Sequence, residues 1–143
     1  MMDVHAVGLF CEDIREEKSG LVTLVGVLPD NIRSESLPGL FPKLGIYVRA
    51  HFFSKTRPDS LEILILAPNG AEVVHVSVED DALNKAWDEA AIAEDDYVGI
   101  ISKINVSPFQ FNESGTIKLI LRVNGEKDFF CGKMRIHDIS ANS

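Results

Sequence analysis

The sequence is poor in the residue patterns that announce chemistry. Its four histidines, His5, His51, His75 and His137, stand apart, and no CxxC, HxH, HExxH or HxxxH spacing occurs. A metal centre needs clustered ligands of suitable spacing, so no metal site is expected. No G-x-S-x-G elbow is present, and neither cysteine has a histidine beside it, which leaves nucleophilic catalysis without a local signature. Gly20, Gly26 and Gly45 are isolated and Gly70 and Gly125 sit in turn-like contexts, so no glycine-rich phosphate cradle can be drawn. These gaps lead to the expectation of a non-enzyme with no catalytic residues and no cofactor.

Positive charge is also scarce. Fourteen Lys and Arg face 22 Asp and Glu, for a net charge of −8. A surface for nucleic acid or anionic membrane normally carries a basic excess, so neither is expected as a direct partner. Long hydrophobic runs are missing: the longest apolar stretches end at Asp30, Lys43 and Pro68, well short of a membrane span. The first eleven residues lack a basic start and contain Asp3 and His5, unlike a signal peptide, so a cytoplasmic location is expected. Only two cysteines occur, Cys11 and Cys131, each inside an apolar run, and both are expected to be reduced, buried thiols.

What is present suits a globular β protein. The chain has 143 residues, 45% hydrophobic and 25% charged, which fits a single domain over residues 1–143. Short runs rich in β-branched residues predict strands over residues 3–11, 20–27, 43–53, 61–66, 71–78, 97–104, 116–123 and 128–136. Residues 28–42 hold Pro29, Pro38 and Pro42 and read as an irregular loop or edge segment. Asn69-Gly70 and Asn124-Gly125 mark hairpin turns. Residues 79–92 break the strand pattern: Leu83, Ala86, Trp87 and Ala90 recur at helical spacing. The expected fold is therefore mainly β. It is an antiparallel β-sandwich, immunoglobulin-like or C2-like, of about eight strands with one inserted helix anchored by Trp87.

The stretch Leu9-Phe10-Cys11-Glu12-Asp13-Ile14-Arg15, followed by Gly20 and Leu24-Val25-Gly26-Val27, resembles the opening of an uncharacterised family of small bacterial and phage proteins. That family's pattern is an FCEDIR-like segment, a glycine and an L-[IV]-G-[VI] strand. A proline-rich segment and an arginine-bearing strand like Gly45-Ile46-Tyr47-Val48-Arg49 follow. The resemblance covers the first third of the chain. It implies a source and no activity, and no site residues come with it. Read physically, Glu12, Asp13 and Arg15 form either a local carboxylate–guanidinium tie at a strand end or a recognition loop facing a partner.

The charge distribution is more telling. Residues 79–96 hold eight acids (Glu79, Asp80, Asp81, Asp88, Glu89, Glu94, Asp95 and Asp96) against Lys85 alone. The first three suit a helix N-terminus, whereas Glu94 to Asp96 would sit unfavourably at its C-terminal end. Either the helix stops near Ile92, or the acidity serves a partner. The leading expectation is a non-catalytic binding domain whose acidic helix and loop, Asp80, Asp81, Asp88, Glu89, Glu94, Asp95 and Asp96, dock an unidentified and basic protein. Two alternatives stand beside it. One is a phage-derived inhibitor of a host nucleic-acid-binding defence protein; the other is an enzyme whose site assembles from separate strands, for instance around His51 and His75. The oligomeric state stays open, a homodimer included.

Overall fold

A computed structural model describes residues 3–140. Eleven strands and one helix follow one another as β1 (Val4–Glu16), β2 (Val22–Val27), β3 (Asn31–Ser34), β4 (Gly39–Phe41), β5 (Leu44–Phe53), β6 (Leu61–Leu66), β7 (Glu72–Ser77), α1 (Asp80–Ile92), β8 (Tyr97–Val106), β9 (Phe109–Phe111), β10 (Gly115–Val123) and β11 (Lys127–Asp138). They form a four-stranded sheet in the order β2-β1-β5-β8 and a five-stranded sheet in the order β3-β11-β10-β6-β7. A two-stranded ribbon pairs β4 with β9. The mainly β expectation holds, with two corrections to it. The strand number rises from about eight to eleven, because β3, β4 and β9 are only three or four residues long, too short to show a period. The sheets are also not wholly antiparallel, since β3 runs parallel to β11.

Alternation of side chains explains the layers. On β5, Leu44, Ile46, Val48, Ala50 and Phe52 are buried while Tyr47, Arg49 and His51 face outward, as a period of two requires. On β10, Ile117, Leu119, Leu121 and Val123 face inward. These rows meet in one cluster with Leu61, Ile63 and Ile65 of β6, and with Leu83, Trp87 and Ala90 of α1. Each such fully buried aliphatic side chain contributes roughly 1.5–3 kcal/mol. The two expected thiols are free and buried; burial pushes that of Cys131 up to about 11, so it stays protonated at neutral pH.

Two connections set the arrangement of the sheets. Only Leu28 to Asp30 separate β2, at one edge of the first sheet, from β3, at one edge of the second. Those two edges are therefore adjacent. The opposite edges, β8 and β7, are joined through α1, which packs along β8. One strand in from the joined edge, β1 approaches β11 so closely that a Cβ on Gly132 would lie 2.7 Å from the Gly8 carbonyl oxygen. Only glycine allows that approach.

Candidate functional site

The helix starts where its sequence dictates. Asp80 and Asp81 fill its first turn, where carboxylates complement the positive end of the helix dipole. Trp87 fixes the inner face: its Nε1–H donates to the Ser54 carbonyl at 3.0 Å, and its ring lies 5.7 Å from that of Phe52. The helix ends at Ile92, with Ala93 as C-cap and Glu94 in the left-handed region at φ 53°. Glu94, Asp95 and Asp96 thus belong to the turn into β8, where Asp95 accepts from the Tyr97 amide at 3.2 Å. The helix thus stops near Ile92, and the three acids that follow it lie in the turn rather than on its C-terminal end.

All seven expected docking residues, Asp80, Asp81, Asp88, Glu89, Glu94, Asp95 and Asp96, are exposed. None of them forms an ion pair with a described residue. Lys85 shares the helix with them but is in no ion pair with a described residue, and Arg57 bonds the Asn84 side chain and stacks over Trp87 at 6.0 Å. One apolar side chain sits among the acids. Ile92 is 85% exposed, one turn beyond Asp88 and next to the acidic turn.

The expected recognition loop of Glu12, Asp13 and Arg15 is not a loop. All three lie on β1, which continues to Glu16 and pairs with β2 through Asp13↔Val25 and Arg15↔Thr23. The charges misled the reading because Glu12 and Arg15 are exposed and Asp13 is half-buried on a strand that continues through them. Asp13 bonds Lys43 and, at 3.4 Å, Arg15, so the local-tie reading describes the Asp13–Arg15 geometry. Lys43 first, and Arg15 after it, hold the Asp13 carboxyl below its ordinary value. Its contribution to stability is present above the ordinary carboxylate pKa and lost as pH falls through the lowered one. Replacing Lys43 by Met is expected to move the Asp13 titration upward, as followed by carboxyl NMR. An unmoved curve would remove Lys43 as the cause.

His51 and His75 do not meet. They lie on the outward faces of different sheets, His51 on β5 and His75 on β7, where His75 pairs with Glu62. The residue opposite His51 is His5, on β1. Asp3, His5 and His51 line a shallow concavity of about 280 Å³. A second, open concavity of about 810 Å³ is lined by Asn31, Arg33, His137, Asp138 and Ile139. Among the described residues no three His, Cys, Asp or Glu side chains gather as metal ligands.

Sequence reading missed one surface. On the outward side of the five-stranded sheet, Lys118 lies directly opposite Lys133, and Arg135 follows two residues on. Arg33 of the parallel neighbour β3 pairs in register with His137. None of Arg33, Lys118, Lys133 and Arg135 is in an ion pair with a described residue. Like charges directly opposite each other destabilise a sheet, so this strip carries a local cost. Beside it runs an apolar row in which Leu64 and Ile120 are buried and Phe130 is 58% exposed. The four cations come from three separate strands, so no window of sequence displays them together.

The sheets, helix and charged surfaces define a mainly β protein built around two exposed faces of opposite sign. Residues 6–129 match a family of unknown function, DUF6941, and the chain belongs to that family. No curated protein matches it. No described helix is long and apolar enough to cross a membrane.

Proposed function

We propose that this chain is a non-catalytic interaction domain whose acidic helix surface docks a basic protein. The observation that carries the reading is the arrangement around Ile92: an apolar side chain 85% exposed, bordered by carboxylates that form no ion pair with a described residue. Interfaces commonly combine an apolar anchor with a charged rim. The rim steers a partner of opposite sign and the anchor holds it once docked. The acids are not needed to hold the helix down, since Trp87, Leu83 and Ala90 do that from its other face.

The test is affinity capture from a lysate of the organism that encodes the chain, with three baits. The wild type is compared with Ile92→Ser and with a variant carrying Asp88→Asn, Glu89→Gln, Asp95→Asn and Asp96→Asn. A specific partner is expected on the wild type and reduced at least tenfold on both variants. A partner retained equally by all three would overturn the acidic-surface reading.

A further inference from the structure

We infer that the basic strip of the five-stranded sheet is the docking surface for the acidic helix of a second copy of this chain, so that copies associate head to tail. The inference rests on the proposed role of the acidic surface and names its partner.

Three observations converge. The first is charge. Among the described residues, Arg33, Lys118, Lys133 and Arg135 face outward without an ion pair, and Asp88, Glu89, Asp95 and Asp96 form none either. Each set has in the other the complement that its own copy does not supply. The second is apolar content. Phe130, exposed, borders the basic strip, as Ile92 stands among the acids, so each surface offers one exposed apolar anchor beside its charges.

The third is placement. The short β2–β3 connection puts β3 and β11 at one edge of the sheets, while α1 lies along β8 at the other. The strands that carry the cations, β10, β11 and β3, stand two, three and four strand spacings, roughly 10 to 19 Å, from β7, the strand that leads into α1. That exceeds the ~8 Å screening length at physiological salt, so they do not neutralise each other within one copy. A contact between two different patches at opposite edges is heterologous. It leaves a free acidic surface at one end of a pair and a free basic strip at the other, and therefore propagates into rings or open chains.

Polyanion binding is the competing occupant of a basic strip. It is disfavoured because the chain as a whole carries −8, whereas a second copy presents its negative charge in one patch.

Sedimentation velocity on the full chain tests this. The wild type is expected to gain mass with concentration in 20 mM salt and to revert to monomer in 0.5 M salt. Two variants are then made. One carries Arg33→Gln, Lys118→Gln and Arg135→Gln; the other carries Asp88→Asn, Glu89→Gln and Asp95→Asn. Each alone is expected to associate at least tenfold more weakly than wild type. Mixed together, they retain one intact surface of each kind. They should form a 1:1 pair that grows no further, because both exposed ends are now disabled.

A wild type that remains monomeric at low salt and millimolar concentration overturns the inference. So does self-association that is insensitive to salt, or a dimer that mixing does not restore. Retention of the wild type on heparin without self-association would give the strip to a polyanion and overturn it as well. Failure here with Ile92-dependent capture of another basic protein would leave the proposed function standing. Loss of that capture would remove the proposed function itself.

Discussion

Replacing Trp87 by Ala is expected to cost about 3–5 kcal/mol, the range for truncating a buried large aromatic side chain. The side chain is 8% exposed, contacts the Phe52 ring and satisfies the Ser54 carbonyl. It is also the residue through which α1 is tied to the loop after β5, so its loss both opens a cavity and frees the helix. Because a domain of this kind is stable by only about 5–15 kcal/mol, a large part of the folded population is at stake. Trp87→Phe separates the two contributions: it keeps a ring against Phe52 but leaves the Ser54 carbonyl unpaired, for about 1–3 kcal/mol. Urea denaturation followed by circular dichroism measures both. A Trp87→Ala variant within 1 kcal/mol of wild type would contradict the anchoring role.

The second large effect is expected at Gly132. A Val there puts its Cβ 2.7 Å from the Gly8 carbonyl oxygen, a backbone atom that cannot rotate aside. The two sheets must part locally, and overpacking of this kind costs about 1–3 kcal/mol, with more when main chain must move. Gly99→Ala is the control. The added Cβ meets only the His51 ring, at 3.5 Å or more, which is ordinary contact, so it should be nearly neutral. Equal stability of the two variants would show that the approach of β1 to β11 is not tight.

Much of the fold could be read from sequence because period and turn chemistry agreed. The alternation of Leu44, Ile46, Val48, Ala50 and Phe52 predicted β5 and its inner face. Leu83, Ala86, Trp87 and Ala90 predicted α1, which begins at Asp80, one residue inside the expected start. β3, β4 and β9 escaped because three or four residues cannot display a period, and the first two lie among prolines. Glu12, Asp13 and Arg15 read as a connection because runs of charge normally mark loops. Here cross-strand pairing to β2 continues beneath them.

The surfaces were legible unequally, for a geometric reason. A helix and its following turn gather neighbours in sequence, so the acidic face showed as a run. A sheet face gathers residues from strands far apart, so Arg33, Lys118, Lys133 and Arg135 came together only once register was known. Their alternation within β11 (Lys133 and Arg135 flanking Met134) was the one local trace, and it is what any solvent-facing strand would show.

The parallel pairing of β3 with β11 has a consequence for the order of folding. Asn31 finds its register partner, Arg135, about a hundred residues further along the chain. The hairpins β6–β7 and β10–β11 close short loops, whereas joining β3 to β11 closes a very long one, which is entropically slower. The edge that contains β3 is therefore expected to settle after the hairpins have formed. Arg33 then reaches its basic companions only in that late step, so the strip gains its full charge after the strands beside it are in place.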